Sequence, residues 1–225
     1  MTRKILSLFA VTAAAFFLAT GGQAEEHAAS SITPKAAVER LKAGNARFVE
    51  GKRKPRDYRA QVAATAKGQH PFAAIVSCMD SRAPVEVVFD EGIGDVFSLR
   101  VAGNVVDPNF LGSLEYAAKV VGVRLIVVMG HTECGAVKGA IDDVKLGNLT
   151  GLLAEIAPAI AAAGPKGSSK DAAYVNKVAQ QNVVVAMKEI REKSPILREM
   201  IESGSLGLVG ALYSVQDGKV TFLAD

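Results

Sequence analysis

Short apolar runs that alternate with helix-like stretches constrain the fold of this 225-residue chain more than any other feature. The runs are rich in valine, leucine and isoleucine, a composition typical of strands that are buried on both faces. Between them, stretches such as residues 174–193 carry apolar residues three and four positions apart, which predicts helices. Strands that alternate with helices predict an α/β fold with a mainly parallel central β-sheet flanked by helices. The predicted strands cover residues 72–77, 96–102, 125–129, 206–214 and 220–223.

Capping and turn residues predict where several elements begin and end. Thr33-Pro34 and Ser194-Pro195 are each typical of a helix start, with a hydroxyl cap followed by proline. Asp217-Gly218 lies between the last two apolar runs and predicts a hairpin. The basic segment 51–56 is interpreted as a solvated loop. Further helices are predicted over residues 110–121, 136–146 and 174–193.

The first 24 residues are typical of a Sec-type secretory signal peptide. Arg3 and Lys4 precede an almost wholly apolar run over residues 5–19, and small residues follow up to Ala24. A run of 15 residues is short for a membrane span, which needs about 20. We therefore expect a cleaved signal peptide over residues 1–24, a single domain over 25–225, a periplasmic location and no membrane anchor after cleavage.

The balance of charge argues against a nucleic-acid-binding protein. The chain has 26 basic residues and 23 acidic ones. Two of the basic residues, Arg3 and Lys4, belong to the predicted signal peptide, so 24 basic residues face 23 acidic ones in the remainder. A chain that binds nucleic acid would carry a clear basic excess. We therefore expect no nucleic-acid partner.

Two cysteines and one histidine form the candidate reactive group. Cys78 follows one predicted strand, and His131 and Cys134 follow another, close to the sheet edge where α/β proteins place their sites. Two thiolates and one imidazole suit a zinc ion whose fourth position stays open, which is the catalytic pattern. A disulfide is the alternative, because exported proteins with two cysteines commonly form one. Asp80 and Arg82 favour a metal site over a disulfide. A carboxylate can act beside a metal cation, and an arginine can hold that carboxylate bidentately.

These motifs also resemble a known family. Cys78-Met79-Asp80-Ser81-Arg82, followed later by His131-Thr132-Glu133-Cys134, is similar to the motif pair of the β-class carbonic anhydrases, and the resemblance runs over residues 33–223. It implies one Zn²⁺ per chain bound by Cys78, His131 and Cys134, with Asp80 and Arg82 as a catalytic dyad. It also implies a homodimer or a higher even-numbered oligomer, in which N-terminal helices pack on the partner and the substrate pocket lies at the subunit boundary.

Further positions match the plant-type, non-allosteric branch of that family. Gln69, Phe97 and Tyr116 lie at the offsets of its substrate-pocket residues. Another branch builds a bicarbonate site around a tryptophan at the position of Ile75, and this chain contains no tryptophan. Arg100 matches the arginine of that site, and without the tryptophan we interpret it as a structural residue.

The resemblance implies reversible hydration of CO₂ to bicarbonate and a proton by hydroxide at the zinc ion. In this scheme Asp80 stays off the metal and is aligned by Arg82. Two alternatives remain open at this point. One is hydrolysis of carbon disulfide or carbonyl sulfide at the same zinc site, and the other is a noncatalytic exported zinc or thiol protein.

Overall fold

The computed structural model describes residues 32–223, and the predicted signal peptide lies outside the described residues. The strands are β1 (Ala73–Ser77), β2 (Val96–Arg100), β3 (Leu125–His131), β4 (Gly207–Tyr213) and β5 (Val220–Phe222). They form one sheet in the order β2-β1-β3-β4-β5. β1 to β4 are parallel to one another, and β5 is antiparallel to β4. The predicted α/β fold with a mainly parallel sheet is confirmed, including the final hairpin.

Helices cover both faces of this sheet. A 3₁₀ turn over Ala102–Asn104 follows β2, and a π-helical segment over Tyr116–Val121 continues the fourth helix. Within residues 32–223, no helix is both long enough and apolar enough to cross a membrane. The helices are α1 (Pro34–Val49), α2 (Tyr58–Thr65), α3 (Val85–Val88), α4 (Pro108–Glu115), α5 (Gly135–Ile141), α6 (Gly147–Ala154), α7 (Ala157–Ala162), α8 (Ala172–Lys193) and α9 (Pro195–Glu202).

The central strand β1 shows why continuous apolar runs, rather than alternating ones, predicted the strands. All of its residues are buried. Ala74 and Val76 pack in one cluster with residues of α8, while Ala73 and Ile75 pack in a second cluster with Leu41 of α1. Because successive side chains of a strand point to opposite faces, both sides of β1 must be apolar.

The predicted helix over 136–146 was wrong in its length. α5 ends at Ile141, and the chain turns through Asp143 at a φ of 54° before α6 begins at Gly147. Aspartate tolerates this left-handed conformation better than most residues, which allows the helix to end there. Leu146, which the prediction placed in the helix, is 66% exposed.

The interpretation of residues 51–56 as a solvated loop was wrong for the last residue, Arg56. The side chain of Arg56 is only 9% exposed and forms an ion pair with Asp90, which is itself buried. Arg47 of α1 donates a second hydrogen bond to the Asp90 carboxylate, from Nε to Oδ2 at 2.6 Å. The buried carboxylate therefore anchors this segment to the core.

The two N-terminal helices differ in how they pack. α1 buries residues such as Leu41 against its own chain. α2 has no buried residue, and its side chains Tyr58 and Val62 are 49% and 56% exposed. Packing of the N-terminal helices on a partner stays a prediction, and of these two helices α2 is the one whose apolar side chains are all exposed.

Candidate metal centre

The carboxyl ends of two neighbouring strands bring the three predicted ligands together. Cys78 directly follows β1, His131 is the last residue of β3, and Cys134 is the N-cap of α5. Because β1 and β3 are adjacent and parallel, with Ser77 paired to Met129, their ends meet at one edge of the sheet. The two sulfur atoms and a ring nitrogen of His131 all lie within 4.8 Å of one another, and all three residues are buried.

The bonding of His131 leaves one ring nitrogen for a metal. Nδ1 lies 2.9 Å from the carbonyl oxygen of Thr132, so Nδ1 carries the proton and Nε2 is the acceptor. Nε2 is buried and has no hydrogen-bond partner among the described residues. A buried polar atom without a partner is unfavourable, and a metal ion would satisfy it. Two thiols and this nitrogen form a donor set that fits Zn²⁺.

The two cysteines are free thiols that interact directly. A hydrogen bond from Cys134 lowers the pKa of Cys78, burial opposes this effect, and His131 and the Gly103 N–H lower the pKa further. The pKa of Cys134 is raised, first because its proton is held in the same hydrogen bond and then by burial. A thiolate is the form that binds a metal, so these contacts favour the binding form of Cys78.

Backbone contacts fix the position of Cys78. Its sulfur accepts a hydrogen bond from the N–H of Gly103 at 3.3 Å. Its carbonyl oxygen accepts one from Nε of Arg100 at 3.1 Å, and Arg100 also donates from Nη2 to the carbonyl of Asp80 at 2.5 Å. These contacts agree with the interpretation of Arg100 as a structural residue.

Asp80 stands beside the ligand group and is bound to Arg82. Nε and Nη2 of Arg82 donate to the two carboxylate oxygens at 2.9 and 2.7 Å. This contact holds the pKa of Asp80 well below its usual range, although burial acts in the opposite direction. Oδ2 of Asp80 lies 3.8 Å from Nε2 of His131. An ionised acceptor of fixed orientation therefore faces the three candidate ligands.

Three contacts that support the site were missed in the sequence. Tyr213 donates its hydroxyl to the carbonyl of Arg82 at 3.1 Å. Asn182 donates from Nδ2 to the carbonyl of Gly103 at 2.6 Å. Asn176 accepts a hydrogen bond from the N–H of Glu133 at 3.1 Å. The available signal was Asn182, an amide within the apolar stripe of α8.

The predicted substrate-pocket residues lie apart from the ligands within this chain. Phe97 is paired with Ala74, well before the carboxyl end of β1, and its ring centroid lies 6.4 Å from that of Tyr116. Gln69 is exposed and precedes β1, at the opposite end of that strand from Cys78. Phe97 and Tyr116 therefore form a ring pair. The role of these two residues and Gln69 in a substrate pocket stays a prediction.

Comparisons with known proteins agree with the motifs. A family model described as "Carbonic anhydrase" matches residues 73–220, which include both motifs. Carbonic anhydrase 2 of Mycobacterium tuberculosis is 40% identical over 198 residues, covering 84% of this chain and 92% of that protein. A carbonic anhydrase of Mycolicibacterium smegmatis is 36% identical over 193 residues, covering 83% of this chain and 92% of that protein.

Solved structures give the same result. The tetrameric β-carbonic anhydrases of Sordaria macrospora match with a TM-score of 0.66 at 27% identity, covering 74% of this chain and 91% of that chain. A β-carbonic anhydrase of Aspergillus fumigatus matches with a TM-score of 0.66 at 27% identity, covering 85% of this chain and 91% of that chain. Sequence and fold similarity thus both extend over the region that carries the candidate ligands.

Proposed function

This chain belongs to the β-class carbonic anhydrase family, and from that membership we propose that it catalyses the reversible hydration of CO₂ to bicarbonate and a proton. The proposed cofactor is one zinc ion per chain, bound by Cys78, His131 and Cys134. The observation that carries the proposal is this buried donor group with the ionised carboxylate of Asp80 beside it.

In the proposed mechanism, water is activated at the metal site, and Asp80 and Arg82 orient the nucleophile. A zinc ion held by these three residues would supply Lewis acidity, which would make hydroxide available from water near neutral pH. Asp80 is ionised, so it can accept a hydrogen bond but cannot donate one. We assign Asp80 to orienting the attacking nucleophile, whose O–H would donate a hydrogen bond to the carboxylate. Arg82 fixes the orientation of the carboxylate and, by engaging both oxygens, keeps it off the metal.

The substrate pocket is proposed to form between two copies of the chain. CO₂ is a small apolar molecule, so apolar walls and one hydrogen-bond donor suffice to hold it. Phe97 and Tyr116 would supply the walls, and the side-chain amide of Gln69 would be the donor. Because these residues lie away from the ligands of their own chain, we propose that they complete the pocket of a partner subunit.

Two observations support an even-numbered oligomer. The exposed apolar side chains Tyr58 and Val62 on α2 offer a surface that a second copy would cover. The related enzymes of Sordaria macrospora are described as tetrameric. We propose a homodimer or a higher even-numbered assembly of this chain, which sedimentation of the purified protein would test.

The proposed location is the periplasm, and the proposed branch is the plant-type, non-allosteric one. The location is supported by the signal-like sequence of Met1–Ala24, and the mass of the exported protein in a periplasmic extract would test it. A mature chain that begins near Glu25 is expected.

The branch is supported by Ile75 and by the lack of tryptophan in the chain. Hydration rates without allosteric inhibition by bicarbonate are expected.

The function is tested by stopped-flow hydration of CO₂ on the mature chain, with zinc measured in the same sample. Fast hydration with about one zinc per chain is the expected result for a single three-ligand site. Stoichiometric zinc without hydration would reject CO₂ as the substrate, and the same sample would then be assayed with carbon disulfide and carbonyl sulfide. A Cys78–Cys134 disulfide in place of zinc would reject the proposed metal site.

A further inference from the structure

Asn182 connects the long helix α8 to one of the proposed zinc ligands through a single residue. Its side chain is buried, and Nδ2 donates to the carbonyl oxygen of Gly103 at 2.6 Å. The N–H of the same glycine donates to Sγ of Cys78 at 3.3 Å. Asn182 therefore reaches the sulfur of Cys78 only through the backbone of Gly103.

Gly103 has no side chain that could fix its backbone conformation. Its φ of 73° and ψ of 14° lie in the left-handed region, and a Cβ there would lie 2.8 Å from Cδ1 of Ile156. These constraints explain why a glycine is present. A glycine, however, adopts many backbone conformations at similar cost, so the direction of its N–H depends on contacts from elsewhere in the fold.

The chemistry of the carbonyl fixes which end of the Asn182 amide faces Gly103. A carbonyl oxygen only accepts hydrogen bonds, so the NH₂ group must point towards it. Gly103 is buried, and without Asn182 its carbonyl would be left unpaired inside the protein. Such an unpaired group is unfavourable, and rotation of the glycine peptide would relieve it. The same rotation would turn the N–H away from Cys78.

We propose that Asn182 is a positioning residue for the metal centre, which holds the Gly103 peptide so that its N–H points at Sγ of Cys78. This inference rests on the proposed function only in taking Cys78 as a zinc ligand. Hydrogen bonds to a ligand atom orient it and tune its strength, and loss of such a contact commonly costs 10- to 100-fold in metal affinity.

The test replaces Asn182 in two ways. Asn182→Asp keeps the shape of the side chain but removes its donor, and Asn182→Ala removes the whole amide. Zinc affinity is measured by competition with a chelating dye. The thiolate-to-cobalt charge-transfer band of the cobalt-substituted protein reports directly on the ligand sulfur. We expect zinc binding about 10- to 100-fold weaker and a shifted cobalt band in both variants.

Asn45 provides a matched control on the opposite side of the fold. It is also a buried asparagine, and its Nδ2 donates to the carbonyl oxygens of Val88 and Gly218 at 3.1 and 2.9 Å. Asn45→Ala should lower the stability of the protein while the zinc affinity and the cobalt band stay as in the wild type.

The outcomes separate this inference from the proposed function. Unchanged zinc affinity and an unchanged cobalt band in a folded Asn182 variant overturn the positioning role. An equal loss of zinc affinity in Asn45→Ala overturns it as well, because the effect would then follow from lowered stability. A wild-type protein that binds zinc but does not hydrate CO₂ rejects the proposed function, while weaker zinc binding in the Asn182 variants still supports the positioning role.

Discussion

Arg82 is bound to Asp80 by three hydrogen bonds, so the carboxylate has one orientation. Nε and the backbone N–H of Arg82 both donate to Oδ1 at 2.9 Å, and Nη2 donates to Oδ2 at 2.7 Å. Oδ2 is also the oxygen that lies 3.8 Å from Nε2 of His131. The charge and direction of Asp80 relative to the ligand group are therefore set by a residue two positions away.

Asp80→Asn should retain zinc and lose most of the turnover. The amide has nearly the same shape, but it carries no charge and presents a donor where an ionised acceptor stood. We expect the rate of CO₂ hydration to fall by about 100-fold or more, the usual contribution of a positioned acid or base. Stopped-flow rates and zinc content from one preparation provide the measurement.

A matched control for this substitution is Asp143→Asn. Asp143 is 74% exposed at its side chain and pairs with Lys145 on the surface. This variant should hydrate CO₂ at the wild-type rate. Full activity in Asp80→Asn would remove the dyad from the mechanism.

Cys134→Ser should lose zinc and, with it, the stabilisation that zinc gives. Binding to the folded state alone stabilises a protein by about 4 kcal/mol when the free ligand is 1,000 times its Kd. Thermal unfolding of the wild type should therefore shift downwards on zinc removal and return when zinc is added back. The variant should show neither shift. Stoichiometric zinc in Cys134→Ser would contradict its role as a ligand.

Asp90 should make stability depend on pH in the acid range. Burial alone would raise its pKa, but hydrogen bonds from Arg47 and Arg56 outweigh burial and lower the pKa to about 2. The unfolded carboxyl titrates at about 3.9. The stabilisation from Asp90 is thus complete above about pH 4 and is lost as the pH falls towards about 2. Urea unfolding at a series of pH values measures this dependence.

Asp90→Asn tests the assignment because asparagine also tolerates the φ of 49° at this position. The variant should be less stable at neutral pH by about 3 kcal/mol, since the arginines lose a buried partner. Its stability should also fall less steeply between about pH 4 and pH 2 than that of the wild type. An equally steep loss in the variant would assign the acid sensitivity to other carboxylates.

Gly103→Ala should destabilise the fold and disturb the metal centre together. The left-handed backbone costs an alanine about 1–2 kcal/mol, and the contact with Ile156 adds to this. Gly68→Ala is the control, because nothing lies within 4 Å of the position of its Cβ. Gly103→Ala should lower both the free energy of unfolding measured in urea and the zinc affinity. Gly68→Ala should change neither quantity. Equal behaviour of the two variants would contradict the close packing of Gly103.

The sheet could be predicted because its strands are continuous apolar runs. The run over 72–77 became β1, which begins at Ala73, and the run over 125–129 became β3, which extends to His131 through pairing with β4. The short helices α2, α3, α6 and α7 were missed. α3 and α6 have no side-chain hydrogen bond at the N-cap, so the sequence carries no capping signal for them. α2 begins at an Asp57 cap and α7 has a proline in its first turn, but both helices are too short for a clear apolar period.

The candidate site also has a part that the sequence predicts and a part that it does not. The proposed ligands and the Asp80–Arg82 dyad lie in two short motifs, which the sequence alone indicates. The residues that support them act across long separations: Asn182 is 79 positions from Gly103, and Tyr213 is 131 positions from Arg82. Such contacts depend on how the strands are ordered in the sheet, which local patterns do not specify.

Tyr213 makes the centre depend on the last part of the chain. β4 lies beside β3, the Thr132 N–H donates to the Tyr213 carbonyl at 2.9 Å, and the Tyr213 hydroxyl supports the loop of Arg82. A fragment that stops before Gly207 would contain every proposed ligand and both dyad residues, yet it would lack the strand that aligns them. During synthesis, the centre can therefore assemble only after β4 has been made, so we expect a product of this chain truncated before Gly207 to be inactive.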